Sequence, residues 1–328
     1  MRTEERVNSF VEVYKKCNNG RNAEKHRELL AGNGSLKYID LEVTNHCNLG
    51  CYMCPVGTRV MRRPRGYMSM ELIEKLCEEL RDSSIAGVQL IRWGEPTMHP
   101  QFLEILRKLK ETGKLVHFNT NGTLMDRDMI QGVIDLKVDS VKFSFQGVDK
   151  ASYEEMRYGS SWDKLMENIR LMNALRGDLE KPYIQISTTT TSETQEQIDG
   201  FKALVSGLCD YCNVGKTELC HLDVERMNIS DERKEMFAQL KKRETLLKQR
   251  LPACPEVYDK LSVNWDGTVS ACCADYDKLL LVGDLRSETL REIFEGVPIQ
   301  RIRDVLSKEN YDALPVCRNC YQCIELRK

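Results

Sequence analysis

The chain has 328 residues, 41% of them hydrophobic and 30% charged, with a formal net charge of −2. That length suits a large catalytic domain with a smaller one beside it, and the apolar share is enough for a sizeable core. A balanced charge lacks the basic excess of proteins that bind nucleic acid or charged membrane surfaces, so neither partner is expected. No apolar run reaches bilayer length, and the charged N-terminus lacks the apolar stretch of a signal peptide, which places the protein in the cytoplasm on this reading.

Strand and helix signals alternate along most of the chain. Residues 1–35 read as a polar helical extension ending at the turn Gly32-Asn33-Gly34. Strands are expected at Lys37–Val43, Val88–Arg92, Leu115–Phe118, Ser140–Phe145 and Tyr183–Ser187, with a weaker sixth at Tyr211–Gly215. Helices are expected from Ser69, as cap, to about Arg81, after Pro100, at Asp126–Leu136, at Trp162–Leu175 and at Thr194–Val205. Repeated β–α units imply a parallel sheet with right-handed crossovers. Six units are too few for an eight-stranded closed barrel, so the expected fold class is α/β, a partial (β/α)6 TIM-like barrel with a small C-terminal module. The expected divisions are the extension at 1–35, the barrel at 36–220, a charged helical linker at 221–252 and a Cys-rich module at 253–328. The linker helix is expected to be solvated. So short a module is expected to lean on metal in place of a core.

Fourteen cysteines are many for this length. In a reducing compartment they point to metal binding or catalysis before disulfides. Three of them, Cys47, Cys51 and Cys54, form C-x3-C-x2-C directly after the first expected strand. Three thiolates can hold three irons of a cubane, whereas electron-transfer clusters usually take four cysteines. The fourth iron then has an open position, which is what a metal site needs to bind a substrate.

This spacing after a first strand resembles the signature of the radical S-adenosylmethionine (SAM) superfamily. The resemblance runs over about residues 37–216. It implies a [4Fe-4S] cluster held by Cys47, Cys51 and Cys54, with SAM chelated on the open iron and cleaved by one electron to a 5′-deoxyadenosyl radical. It also implies a flavodoxin- or ferredoxin-type electron donor. Trp93-Gly94-Glu95-Pro96, after the second strand, is similar to the family's Gly-Gly-Glu-Pro motif, which implies that Gly94, Glu95 and Pro96 contact the SAM ammonium. Trp93 departs from that motif, and Met53 stands before the third cysteine where the family often has an aromatic residue. Asn119 and Asn121 near the end of the third strand, and Ser144 and Gln146 at the end of the fourth, fall where similar proteins meet the SAM carboxylate or ribose.

The tail carries Cys254, Cys272, Cys273, Cys317, Cys320 and Cys323. Its C-x12-G-x4-C opening resembles the SPASM auxiliary-cluster extension, but the ligands are too few for two further clusters. The resemblance implies the shortened form, with one auxiliary [4Fe-4S] cluster on Cys254, Cys272, Cys317 and Cys320, and with Cys323 or Cys273 as replacement ligands. Cys273 is also a candidate hydrogen-atom donor, because an S–H bond is weak. Chain size and the single-cluster tail resemble the aminocyclitol and aminoglycoside dehydrogenases and epimerases, which implies a carbohydrate-like small-molecule substrate. A peptide-modifying maturase and a non-enzymatic iron–sulfur electron carrier are the alternatives.

Overall fold

In the computed structural model of the chain, residues 6–17, 34–219, 222–246, 248–250, 254, 256–318, 320 and 324–326 are described. Six parallel strands lie side by side in chain order: β1 Tyr38–Leu41, β2 Gly87–Leu90, β3 Leu115–Thr120, β4 Ser140–Ser144, β5 Tyr183–Thr190 and β6 Tyr211–Lys216. Helices α2 Met70–Arg81, α3 Phe102–Glu111, α4 Arg127–Asp135, α6 Trp162–Arg176 and α7 Gln195–Val205 return the chain between them. Ser69, Asp126, Ser161 and Thr194 each cap their helix by accepting a backbone N–H from the first turn. Asp149 and Ser152 form a reciprocal cap on the short α5, Lys150–Met156, which the hydrophobic pattern did not reveal.

The two faces of this sheet differ in chemistry. Side chains alternate along a strand, so register partners share a face. Val263, Leu41, Leu90, Phe118, Val141 and Ile184 form one cross-strand row, buried under the helices. The row on the opposite face, Ser262, Asp40, Gln89, His117, Ser140 and Tyr183, is polar throughout, as is the next, Asn119, Lys142, Gln185 and Tyr211. A closed TIM barrel fills its lumen with branched apolar side chains. Here the lumen is lined for hydrogen bonding.

The N-terminal segment stops the lower end of the lumen. Phe10, fully buried, stacks edge-on against His117 at 5.9 Å, and Tyr14 meets Tyr38 at 6.2 Å from α1, Val11–Lys16. Within the expected polar helical extension, residues 6–17 therefore form a plug over these residues, while 1–5 and 18–33 lie outside the described residues.

The sheet does not end at β1. β7 Lys260–Val263 pairs with it in parallel, and the antiparallel strands β8 Thr268–Ser270 and β9 Leu281–Asp284 follow. Val257, Leu261, Val263, Val269, Leu285, Ile293, Ile299 and Leu306 join the same core as the barrel strands. Helices α9 Glu256–Asp259, α10 Leu290–Glu295 and α11 Val297–Ser307 cover this end. The tail therefore shares the barrel's apolar core and does not depend on metal in place of one.

The charged helix α8, Asp231–Leu246, also departs from expectation. Phe237 is fully buried in a second apolar cluster with Val60, Met156, Leu219, Met227 and Tyr276, and Leu240 packs on it. The Arg233 guanidinium lies 4.2 Å above the Tyr52 ring and 2.9 Å from Glu155. One phenylalanine among so many charges gives almost no periodic signal, so the docked face was hidden in the sequence.

His117 gives the fold a pH dependence. Burial, reinforced by Lys142, pushes its imidazole down to about 3. The unfolded chain takes up that proton near pH 6.5 and the folded chain does not, so stability falls as pH drops below about 6.5. Between pH 7.5 and 5.5 this group is expected to remove about 1.4 kcal/mol. Unfolding curves of wild type and His117→Gln at both pH values check this; equal losses in the two proteins would refute it.

Candidate active site

Cys47, Cys51 and Cys54 lie in the loop after β1, on the carboxyl-end side of the sheet, where parallel α/β folds place their chemistry. Gly50–Cys51 forms a two-residue ribbon with Arg157–Tyr158 after α5. The loop's tightest contact falls on Gly57, where a Cβ would lie 2.4 Å from the Cys51 carbonyl oxygen.

All three thiols are free. Burial above all pushes Cys47 up to about 12 and Cys54 up to about 11, and it raises Cys51 as well. Cys54 and Cys51 also oppose ionisation of Cys47, and Cys51 that of Cys54. Such a set becomes thiolate only around a metal, whose charge inverts the local preference. The donor chemistry thus fits an iron–sulfur cluster. Arg157 is the cation that counters the charge of Cys51 and Cys54, and its Nη2 donates to the Phe145 carbonyl at 3.1 Å. Nothing in its sequence neighbourhood marked it; the ribbon brings it in.

The Gly94-Glu95-Pro96 turn packs directly on the approach to this loop. Gly94 has φ +101, and a Cβ there would meet the Thr44 and His46 carbonyl oxygens at 2.5 and 2.8 Å, which restricts the position to glycine. Glu95 N donates to His46 O at 2.7 Å. The buried Glu95 carboxylate accepts from Thr97 N, Thr97 Oγ1, Thr120 Oγ1 and Asn121 N, at 3.2, 2.7, 2.7 and 2.7 Å. Three of these donors converge on Oε1 and one on Oε2, which leaves Oε2 able to accept again. Burial still raises its pKa, and these donors oppose the shift. Pro96 opens a short 3-10 turn, Pro96–Met98.

Asn121 belongs to the same knot. Its Nδ2 donates to Asn48 Oδ1 at 2.9 Å, and its Oδ1 accepts from Thr123 N at 2.9 Å. The cysteine loop, the turn after β2 and the end of β3 are thus tied together. Asn119 sits on the lumen face with Oδ1 2.8 Å from His117 Nε2. Ser144 ends β4 on that face, opposite Ser187. Gln146 is set apart: it donates to Thr217 Oγ1 at 2.6 Å and accepts from Thr189 Oγ1 at 2.5 Å, joining the ends of β4, β5 and β6.

In the tail, Cys272 follows β8, and the charge of Cys254 acts on its thiol. Cys317 and Cys320 share one turn, with Cys320 N donating to Cys317 O at 3.1 Å. Cys323 lies outside the described residues. Cys273 Sγ is 3.5 Å from Glu256 Oε2 and 3.7 Å from Lys260 Nζ. The donor atoms of Glu256, Cys272 and Cys273 lie within 4.8 Å of one another, which brings in a carboxylate that no cysteine spacing announced.

Comparisons with known proteins fit this arrangement. The radical SAM superfamily profile matches residues 41–202, and that of the iron–sulfur cluster-binding SPASM domain matches 254–321. A tungsten-containing aldehyde ferredoxin oxidoreductase cofactor-modifying protein of Pyrococcus furiosus is 28% identical over 173 residues, 50% of this chain and 46% of that protein. A probable GTP 3′,8-cyclase of Sulfurisphaera tokodaii is 24% identical over 217 residues, 66% of this chain and 65% of that protein. The chain thus spans about half to just under two thirds of these relatives' length. Among solved structures, BtrN in complex with AdoMet and 2-DOIA aligns over 87% of this chain and 93% of its own, at 15% identity and TM-score 0.57. Streptococcus suis SuiB bound to S-adenosylmethionine aligns over 91% and 76%, at 16% identity and TM-score 0.66. At such identities the likeness is one of fold, and the two profile matches carry the assignment. With its cysteine loop after the first strand of a six-stranded parallel array and its second cysteine group in the tail, the chain belongs to the radical SAM superfamily and carries a SPASM-type iron–sulfur domain.

Proposed function

We propose that this radical SAM enzyme oxidises or epimerises a carbinol carbon of a sugar or aminocyclitol. The observation that carries the reading is the polar lumen: Asp40, Gln89, Asn119, Lys142 and Gln185 face one another across the sheet where an apolar core would otherwise stand. A ligand with many hydroxyls satisfies such walls; an apolar one leaves them unpaired.

Cys47, Cys51 and Cys54 hold the [4Fe-4S] cluster that receives SAM, and Arg157 offsets its charge. The cluster and SAM, once bound, supply a radical that takes hydrogen from the substrate. Glu95 fixes the Gly94–Pro96 turn and Asn121 joins it to the cysteine loop. With three donors on Oε1 and one on Oε2, the Glu95 carboxylate keeps an accepting position on Oε2 for the SAM ammonium, beside the backbone carbonyls of the turn. Asn119, oriented by His117, and Ser144 face the ligand side of the sheet. Gln146 acts at one remove, by joining the strand ends. Cys254, Cys272, Cys317 and Cys320 hold the auxiliary cluster, and a flavodoxin- or ferredoxin-type protein delivers the electrons. Cys273, whose Sγ lies beside Lys260 and Glu256, is the candidate thiol to return hydrogen in an epimerisation.

The test is anaerobic turnover of reconstituted enzyme with SAM, dithionite and 2-deoxy-scyllo-inosamine in heavy water. Formation of 5′-deoxyadenosine is expected to rise at least about tenfold with the aminocyclitol. Deuterium at the carbinol carbon marks epimerisation, and a ketone without deuterium marks oxidation. A Cys273→Ala enzyme that still epimerises would remove that thiol from the donor role. Stimulation by peptides alone would sink the carbohydrate reading and leave a maturase.

A further inference from the structure

The lumen keeps accessible space above a closed floor, and one lysine stands in it without a counterion. On the helix side of the sheet Phe118, Val141, Phe143, Ile184 and Ile186 are fully buried. On the lumen side Asn119, Lys142, Ser144, Gln185 and Ser187 are only half-buried. In the row beneath, His117 and Ser140 are buried, and Phe10 packs against His117. Lys142 therefore lies at the floor of the accessible part, with Asn119 of β3 and Gln185 of β5 as its register partners. Adjacent strands stand about 4.8 Å apart, and Ser144 is two positions, about 6.6 Å, farther toward the carboxyl end of the strands.

Each neighbour is fixed by a hydrogen bond that leaves one polar atom over. His117 Nε2 donates to Asn119 Oδ1 at 2.8 Å, so the Asn119 amide nitrogen is left to donate. Gln185 Nε2 donates to Ser140 Oγ at 2.7 Å, so the Gln185 oxygen is left to accept. Lys142 Nζ has neither a hydrogen-bond acceptor nor a carboxylate beside it among the described residues. The carboxylates on this side of the sheet are committed elsewhere, Asp40 to Lys260 at 3.0 Å and Glu42, just after β1, to Arg63. The lower row contributes Gln89 of β2, His117 of β3 and Tyr183 of β5, and Tyr211 of β6 ends the row of Lys142. None of these supplies a negative charge at neutral pH, and His117 and Lys142 oppose each other's protonation. Desolvation thus pushes the amine below the ordinary lysine range. A neutral amine carries a lone pair, which makes it a base.

On these grounds, and resting on the oxidation branch of the reading above, we propose that Lys142 is the base that takes the proton of the reacting hydroxyl, with Asn119 donating to that oxygen and Gln185 accepting from an adjacent hydroxyl or amine of the substrate. Hydrogen-atom transfer to the adenosyl radical breaks the carbinol C–H bond and leaves a hydroxyalkyl radical. The O–H bond then breaks and its proton goes to Lys142 Nζ. One electron passes to an oxidised iron–sulfur centre, which leaves a ketone and a protonated Lys142. The recognised unit is a vicinal amino alcohol or diol.

The experiment compares wild-type, Lys142→Met and Lys142→Arg holoenzymes in anaerobic turnover with SAM, dithionite and 2-deoxy-scyllo-inosamine. Lys142→Met is expected to lower ketone formation at least about a hundredfold, while the 5′-deoxyadenosine formed per ketone rises at least about tenfold. Lys142→Arg is expected to fail alike, because a guanidinium stays protonated. The unfolding midpoint of Lys142→Met is expected to equal or exceed that of wild type, since a desolvated amine without a partner is removed. Competitive acetylation of wild type without substrate, read by mass spectrometry, is expected to give Lys142 a midpoint below the ordinary lysine value of about 10.4. A midpoint at the ordinary value would overturn the base whatever the substrate is. Ketone formation by Lys142→Met within about threefold of wild type, or recovery in Lys142→Arg, would overturn it as well. Ketone loss in Lys142→Met together with a lower unfolding midpoint would make the amine structural and overturn the base. Deuterium at the carbinol carbon without ketone in wild type would overturn the base and leave the carbohydrate reading standing. No response of wild type to the aminocyclitol would overturn both.

Discussion

A Cys47/Cys51/Cys54→Ala triple variant is expected to fall from about eight irons per chain to about four after anaerobic reconstitution, and to lose SAM cleavage entirely. The three thiols share one loop in which burial above all opposes ionisation; Arg157 offsets only part of the charge of Cys51 and Cys54, and a metal cluster supplies the rest. The variant keeps the tail cysteines, so iron and labile sulfide report the two sites separately. Retention of all the iron would place both clusters elsewhere. About four irons in wild type, with zinc in the tail, would keep the cleavage site and remove the auxiliary cluster from the scheme. Loss of all iron on replacing only these three would mean that the tail does not hold a cluster by itself.

Arg63→Met is expected to lower unfolding stability by about 3–5 kcal/mol, a fall of roughly 4–7 °C in the thermal midpoint. Arg63 and Glu42 form a two-pronged ion pair in which both side chains are buried, one at 4% exposure and the other at 0%. Arg63 Nε also donates to Tyr276 O at 2.7 Å, and its Nη1 reaches Asn264 Oδ1 at 3.4 Å. One side chain thus joins the end of β1, the segment after the cysteine loop and the tail. Removing it leaves the Glu42 charge buried without its counterion. The double variant Glu42→Gln/Arg63→Met is expected to recover much of the loss, because no uncompensated charge remains. A single variant within about a degree of wild type would refute the assignment.

Local rules carried most of the barrel. The strand positions, within about three residues at their ends, and the helix cap at Ser69 depend on alternation and on one capping side chain, and short sequence windows contain both. The cysteine spacing and the turn after β2 were legible for the same reason. What escaped was set by pairing between distant segments. Arg157 reaches the cysteine loop through a two-residue ribbon. Phe237 docks on a surface built by residues far before it. Asp40 and Lys260 look like ordinary charges of two polar strand positions until β1 and β7 align. Glu95 was legible as a motif residue, yet its four donors, and hence its anchoring role, required the fold.

The pairing of β1 with β7 also sets an order of events during synthesis. Lys37 and Asp259, at the entry to these two strands, are 222 positions apart. At about 5–20 residues per second, β1 leaves the ribosome on the order of ten to forty seconds before its neighbour. Through that interval β1 presents an open edge, and an unpaired strand edge is the kind of surface that recruits other chains. The cysteine loop hangs from that same strand, without the Arg63 link to Tyr276. Iron delivered early would meet a loop still unanchored on one side, so cluster assembly belongs after the tail has closed the sheet. A chain cut before residue 260 would keep every cysteine of the first loop and still leave β1 as a permanent edge.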